Sequence, residues 1–383
     1  MSPVRPTNAK PAGPIVVYIF RNISGEYSKK LIKDGEDPGD VGGYFIIKGI
    51  ERVLIGIEDL APNRITCTNE KNGVVAKVFS TTLSFRAKIS ITRDEYGLYK
   101  IIFPTISKSV DLILILKSLG ISEKQILNNL SDNEIKNDMI LNIDQSKAKD
   151  FSEEEAVREL GRLSVPNQTP EYQIKRAENQ IDLYLLPHLG TTAEIRNEKA
   201  IYLITMAEKA SLVAYKKMKE DDKDNYSNKR IKLAGDLMEE LFNNSFKFFI
   251  KNIKYHIERT AARRRKLNIR SNINPDDLTG KILYSIGTGT WPNGQTGVSQ
   301  VLERINFINS LSHLRRIKSP LAKKHPHFKA RDVHGTHIGK ICPSESPEGT
   351  EVGLTKYFAL MAKVTNGVDN KLIEDKLKEL KLI

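Results

Sequence analysis

Short apolar runs, bounded by turn-forming residues, begin the ordered part of the chain. They predict β-strands over residues 15–20, 44–47 and 52–57. Residues 35–43 are dense in Gly, Pro and Asp, which predicts a shaped loop. Apolar and polar side chains alternate over residues 83–91, the period of a half-buried antiparallel strand, and the turn at residues 94–97 predicts a hairpin with residues 98–103.

Capping boxes predict where several helices begin, because a hydroxyl and a side chain three residues later satisfy exposed N–H groups. The pairs are Ser122 with Gln125, Ser131 with Glu134, Ser152 with Glu155 and Thr191 with Glu194. The last pair opens a helix to about residue 219, and an apolar stripe predicts another over about residues 237–266. The predicted fold class is therefore α+β and multidomain, with antiparallel sheets and packed helices.

Length and composition narrow the class of protein. A chain of 383 residues predicts two or three domains, and 39% hydrophobic with 28% charged residues is a globular composition. No apolar stretch is long enough to span a membrane and no signal peptide is apparent, so we expect a cytoplasmic protein without a membrane partner. Two cysteines exclude a disulfide framework and a four-thiolate zinc site.

Positive charge is concentrated in the C-terminal part. The net charge is +13, and residues 246–340 alone hold 19 Lys and Arg against 5 acids. A solvated basic face would explain an ordinary charge run, but this local excess favours a polyanionic partner. Within it, the helix dipole accounts for some of the cations at residues 263–266, and we expect Arg264 and Arg265 to contact phosphates.

Other chemistry is weakly supported by the sequence. The Gly-rich segment 287–297, which holds the only tryptophan, Trp291, lacks a phosphate-loop pattern and predicts either a hairpin tip near a ligand or an ordinary surface loop. The spacing of four histidines fits no common zinc motif, so hydrogen-bonding roles are favoured over a metal site. These are His325, His327, His334 and His337.

Six sequence blocks between residues 35 and 354 resemble, in order, the second-largest subunit of multisubunit DNA-directed RNA polymerases. They are GEDPGDVGGYFIIKGIERVL, DLAPNRI, DDKDNYSNKRIKLAGDL, GVSQVLER, LSHLRR and RDVHGTHIGKICPSESPEGTEVGL. The chain is most similar to the N-terminal half of the archaeal form, in which two chains encode the subunit. The resemblance implies a partial protrusion over residues 1–73, a lobe over 74–195, a second, helical protrusion segment over 196–270, and a fork with a C-terminal helix over 271–383. It also implies that about a hundred or more residues of the usual protrusion are missing before residue 15.

The resemblance also implies roles for individual residues. Gln300, His313, Arg315 and Arg316 are similar to residues that line the RNA–DNA hybrid. Trp291 would belong to the first fork loop, and Lys323, Lys324 and Lys329 to the second, where the downstream DNA strands part. Arg331 and Glu348 would orient the template and the incoming nucleotide.

The resemblance implies a subunit of a nucleotidyltransferase that is inactive alone. This chain would contain no catalytic residue and no metal site, because the largest subunit holds the Mg²⁺ of the complete enzyme. Its partners would be the remaining half of the second-largest subunit, the largest subunit, the DNA template and the RNA–DNA hybrid. Two alternatives stay open: a free-standing nucleic-acid-binding regulator derived from a polymerase subunit, and a metal-dependent hydrolase that uses the histidines.

Overall fold

A computed structural model describes residues 16–18, 29, 32–33, 35, 37–82, 85–106, 108–263, 273–292, 294–322, 326–364 and 370–380. Its strands are β1 (Val16–Tyr18), β2 (Tyr44–Ile47), β3 (Ile50–Leu54), β4 (Gly56–Leu60), β5 (Thr66–Glu70), β6 (Gly73–Thr82), β7 (Phe85–Arg93), β8 (Tyr99–Ile102), β9 (Val110–Asp111), β10 (Lys229–Lys232), β11 (Ser299–Val301), β12 (Arg316–Lys318) and β13 (Thr355–Tyr357).

The α-helices in the same residues are α1 (Leu112–Ser118), α2 (Glu123–Asn128), α3 (Asn133–Gln145), α4 (Glu153–Ser164), α5 (Pro170–Asn179), α6 (Arg196–Ala214), α7 (Ala234–Ala262), α8 (Asp276–Thr288), α9 (Phe307–Leu314), α10 (Phe328–Arg331) and α11 (Asn370–Glu379). With three sheets of four, four and five strands, they confirm the α+β class. None of these helices has the length and apolar character that crossing a bilayer requires.

The chain divides into two compact units. The first unit comprises Met1–Asp59, Ile231–Asp236 and Thr279–Ile383, and the second comprises Leu60–Arg230 and Leu237–Leu278. The predicted four-part division places its boundaries elsewhere, at residues 73, 195 and 270, and stays a prediction.

The second unit is built on the antiparallel sheet β5-β6-β7-β8-β9. As the alternating pattern predicts, Ala87, Ile89 and Ile91 of β7 are fully buried, and β7 pairs with β8 in the predicted hairpin. Phe85, which shares their face, lies at the start of the strand and is 37% exposed, although its ring packs edge-on against Tyr184. Helix α6 packs against β5, β6 and β7, so that a continuous apolar core fills this unit.

Two of the predicted helix starts are confirmed, since the boxes at Ser122 and Ser152 both form. The box at Ser131 is wrong: Asp132 caps α3 by accepting from the Glu134 N–H at 2.9 Å, while Ser131 hydrogen-bonds to Glu208. The box at Thr191 is also wrong, because a short 3-10 turn precedes α6, which begins at residue 196 and ends at 214 rather than 219.

The other two sheets are four-stranded, with strand orders β1-β2-β3-β11 and β10-β4-β12-β13. Strands β3, β11, β12 and β13 lie wholly in the first unit. The single strand predicted over residues 52–57 is in fact two strands in different sheets. Ile55, between them, is buried and donates its N–H to the Val298 carbonyl at 2.8 Å. Strand β4 then runs parallel to β12, whereas β3 pairs antiparallel with β2 and β11. This division brings β11 and β12 into one unit and thereby positions the candidate site.

Candidate nucleic-acid interface

Three of the residues predicted to line a nucleic acid converge in the first unit. Gln300 lies on β11 opposite Val53 of β3, His313 in the last turn of α9, and Arg316 at the start of β12. The helix that carries His313 starts cleanly because the Asn306 side chain caps it, accepting from a backbone N–H at 2.7 Å.

The convergence is a connected hydrogen-bond network. The Gln300 Oε1 atom accepts from Arg316 Nη1 at 3.1 Å and lies 3.2 Å from His313 Nε2. The Gln300 Nε2 atom donates to the Gly297 carbonyl at 3.2 Å, which fixes which end of the amide faces the arginine. The carboxylate of Glu303 lies 3.4 Å from Arg316 Nη1. Gln300 therefore links the side chains of His313 and Arg316 through a single oxygen atom.

The network determines the proton position on His313. The Glu303 backbone N–H donates to His313 Nδ1 at 3.1 Å, so that Nδ1 carries no proton and Nε2–H donates to Gln300. The imidazole is 1% exposed. Burial lowers the pKa of His313 to about 4 and the positive charge of Arg316 adds to the effect, while Glu303 opposes it. His313 is thus uncharged near pH 7, and it hydrogen-bonds to Gln300 and to the Glu303 backbone in that form.

The two neighbouring arginines are held by residues that follow in the chain. Arg316 Nε donates to the Tyr357 hydroxyl at 3.2 Å, and the guanidinium lies 5.6 Å from the Tyr357 ring centroid. Arg315 donates from Nη2 to the Phe358 carbonyl. Within the described residues, Arg316 Nη2 has no hydrogen-bond partner. The Arg316 side chain is 18% exposed.

Arg331 and Glu348 lie elsewhere in the first unit, Arg331 as the last residue of α10 and Glu348 in a later loop. Arg331 Nη1 donates to the carbonyls of Thr350 and Val352, both at 2.9 Å, and Glu348 is the exposed residue just before the 3-10 turn Gly349–Glu351. Gly353 is required here, because its φ is +69° and a Cβ would lie 2.2 Å from the Arg331 carbonyl oxygen.

An ion cluster in the first unit joins Arg304 to Glu51 and to Asp40, which lies in the loop predicted over residues 35–43. Arg304 donates to Glu51 at 2.9 and 3.0 Å and to Asp40 at 3.2 Å, and it lies over the Tyr44 ring at 5.0 Å. Burial alone would raise the pKa of Asp40, but the hydrogen bond from Tyr44 and the Arg304 charge hold it below its ordinary value. Arg304 is 253 and 264 residues from Glu51 and Asp40 in the sequence, so only the fold reveals their contact.

The remaining predicted site residues are distributed as follows. Trp291 lies in the loop between α8 and β11, as expected, but its ring is only 2% exposed, so that it anchors the loop rather than presenting a surface. Lys329, on α10, is exposed. Four predicted phosphate-contacting residues lie outside the described residues: Arg264, Arg265, Lys323 and Lys324.

The histidine cluster has hydrogen-bonding contacts in its described part. His334 Nδ1 lies 2.7 Å from the Thr336 hydroxyl, and the His334 N–H faces His337 Nδ1 at 3.4 Å. These contacts close a 3-10 turn. Over the part of the chain that the structure describes, no three His, Cys, Asp or Glu side chains are grouped as metal ligands.

Comparison with known proteins finds two family matches along the chain. The family described as RNA polymerase Rpb2, domain 2, matches residues 61–232, and RNA polymerase Rpb2, domain 3, matches residues 300–364. DNA-directed RNA polymerase subunit Rpo2N of Methanocaldococcus jannaschii is 44% identical over 364 residues, 93% of this chain and 73% of that protein. Rpo2N of Halobacterium salinarum is 42% identical over 360 residues, 91% and 68% of the two chains. Rpo2 of Saccharolobus solfataricus is 40% identical over 360 residues, 92% of this chain but 32% of that longer protein.

The fold and these matches define the class of protein as a second-largest subunit of a multisubunit RNA polymerase, which confirms the resemblance in the sequence blocks. Within that class, the chain belongs to the family of DNA-directed RNA polymerase subunit Rpo2N, the N-terminal half of the split archaeal subunit.

Proposed function

We propose that this polymerase subunit helps to hold the RNA–DNA hybrid and the downstream DNA near the active centre, and that it does not carry the catalytic magnesium. The observation that carries the proposal is the single network of Gln300, His313 and Arg316, with Arg315 adjacent in the chain. A protein that must position a polyanion without reading its sequence needs fixed cationic donors. The network fixes Arg316, and the Phe358 carbonyl separately holds Arg315.

The contacts of the arginines suit them to phosphate. Arg316 is held by Gln300 Oε1 and by the Tyr357 hydroxyl, which leaves Nη2 as a donor of set direction. The Glu303 carboxylate lies beside the same guanidinium but is 42% exposed, so solvent screens its charge. A phosphate at Nη2 would therefore meet a preorganised cation.

Lys329 would act differently from the arginines. It is exposed on the short helix α10 and has no ion-pair partner in the described ranges. Its flexible ammonium is suited to screening phosphates of separated downstream strands, with no need for fixed geometry. Arg331, at the end of α10, and Glu348, before the turn Gly349–Glu351, would orient the template and the incoming nucleotide.

The proposal assigns the chemistry to other chains. The catalytic Mg²⁺ would be held by the largest subunit, and the partners of this chain would be that subunit, the remaining half of the second-largest subunit, the DNA template and the hybrid. We expect the isolated chain to have no nucleotidyltransferase activity. Elongation on a primed RNA–DNA scaffold, with and without the other subunits, measures this directly.

The test of hybrid holding is the double variant Arg315→Ala, Arg316→Ala in reconstituted polymerase. The half-life of stalled elongation complexes is measured over a series of KCl concentrations. We expect a shorter half-life and a salt dependence reduced by about one unit of log–log slope for each lost phosphate contact. Arg158→Ala, at an exposed arginine of the second unit that has no ion-pair partner in the described residues, is the matched control.

A second variant separates charge from geometry. Arg316→Lys keeps the positive charge but loses the planar fork that Gln300 and Tyr357 hold. We expect its half-life to lie between those of the wild type and the double variant. The proposal is contradicted if the double variant behaves as Arg158→Ala does across the salt series.

A further inference from the structure

A groove of about 780 Å³ lies in the second unit, between the edge of its five-stranded sheet and helices α3 and α4. Its floor is apolar, with Val110, Leu114 and Ala148 buried and Phe151 half-buried. At its rim, Leu163 is 46% exposed although it is a large apolar side chain. A cavity of this size with an apolar floor is typical of a binding site.

The side chains that line the groove carry more positive than negative charge. Lys100 on β8 and Lys147 after α3 are exposed at the rim, and neither is in an ion pair with any residue that the structure describes. The lining also holds two acids, Asp111 and Glu159, and Asp111 stands directly opposite Lys100 across the β8–β9 pair. Asp111 accepts from the Ile113 N–H at 3.1 Å and from the Ser146 hydroxyl.

The second acid, Glu159, accepts from Arg162 at 2.7 Å, one helical turn away on α4. This pair brings a third cation to the rim without adding net charge. With three cations against two acids, the lining carries a net charge of +1 over an apolar floor, and its two exposed lysines lie on separate elements, Lys100 on β8 and Lys147 after α3.

We infer that this groove binds a peptide segment of another protein, in which an apolar side chain is flanked by acidic residues. The apolar side chain would cover Leu163 and the half-buried Phe151, and the carboxylates would meet Lys100 and Lys147. The charge complementarity favours this occupant over a neutral or basic one. A nucleic acid would use the lysines but would leave the apolar floor without a role. The inference is independent of the proposed function, because no residue of the Gln300 network belongs to the groove.

The test selects peptides on the full chain from a random peptide display library and measures their affinity by fluorescence anisotropy. The perturbing variant is the double charge reversal Lys100→Glu, Lys147→Glu. The matched control, Lys124→Glu, Lys175→Glu, reverses two exposed lysines of the same unit that lie outside the groove. Leu163→Asp tests the apolar contact separately. All five positions are exposed, so the variants should fold, and circular dichroism verifies this.

We expect selected peptides to combine apolar and acidic residues and to bind the double reversal about tenfold more weakly than the wild type or the control. Leu163→Asp should weaken them as well. The inference is overturned if selected peptides lack either feature or bind both reversals equally. It is also overturned if duplex DNA shows the same loss on Lys100→Glu, Lys147→Glu, or if sedimentation shows a self-associated chain that this variant dissociates.

Discussion

The protonation of His313 is the sharpest prediction of the site. In the folded chain this imidazole is buried, its Nδ1 accepts from a backbone N–H, and the Arg316 guanidinium belongs to the same network. A proton on Nδ1 would face that N–H donor and add a second positive charge beside Arg316. Protonation of His313 is therefore disfavoured in the folded chain, and as the pH falls from 7 to 4 it should disrupt the contact between Nδ1 and the Glu303 N–H.

The magnitude follows from the pKa. In the unfolded chain His313 binds its proton near the ordinary pKa of 6.5, whereas in the folded chain it does so only near about 4. Since one pKa unit corresponds to about 1.4 kcal/mol, the folded state loses about 3 kcal/mol of stability to this group. The stability is fully present above pH 6.5 and is lost progressively as the pH falls towards 4, because the unfolded state binds more protons in this window.

Two measurements check this. Imidazole ¹H–¹⁵N spectra over pH 3.5–8 give the titration midpoint of the signal that is absent in His313→Gln. Urea unfolding, followed by the fluorescence of Trp291, reports on the first unit, because this is the only tryptophan and it is buried there. The wild type should lose more stability than His313→Gln between pH 6.5 and 4. A midpoint between 6 and 7 would refute the reasoning.

Two further predictions concern a buried ion pair and a close backbone contact. Lys356→Met should destabilise the first unit by about 3–5 kcal/mol, because the buried Glu58 carboxylate, 3.0 Å from Lys356 Nζ, loses that partner. Adding Glu58→Leu to this variant should recover most of the lost stability. Urea unfolding followed by tryptophan fluorescence measures both variants. The reasoning is wrong if the double variant unfolds at the same urea midpoint as Lys356→Met. Gly161→Ala should destabilise the chain by about 1–3 kcal/mol, because its Cβ would lie 2.3 Å from the Gln173 carbonyl oxygen. Thermal unfolding by circular dichroism measures it against Gly235→Ala, where a Cβ meets nothing within 4 Å.

Local patterns predicted the fold well where neighbours in the sequence decide the structure. The alternation that buries Ala87, Ile89 and Ile91 depends only on strand period, and the Ser152 box on a residue three positions away. The prediction at Ser131 failed because two capping residues stand side by side. The choice between them involves Glu208, 77 residues away, which accepts from Ser131.

The apolar run over residues 52–57 shows a second limit of sequence patterns. It gives no sign that the chain changes sheets at Ile55, because both halves are apolar and each pairs with a strand that is distant in sequence. The candidate site has the same limit. The sequence blocks singled out Gln300, His313 and Arg316, but the Arg316 contacts of Glu303 and Tyr357, 13 and 41 residues away, exist only in the folded unit.

These two contacts bear on how the arginine can work. An arginine that is already hydrogen-bonded inside its own unit has lost much of its rotamer freedom before any ligand arrives, so a phosphate need not supply that ordering. Tyr357 and Gln300 occupy Nε and Nη1 of Arg316, and the remaining Nη2 has its direction set by the other two. Internal pairing of Arg316 is therefore compatible with a phosphate-holding role, and it makes Tyr357 a positioning residue. Tyr357→Phe would retain the ring beneath the guanidinium and remove only the hydroxyl, which separates orientation of the donor from packing of the strand.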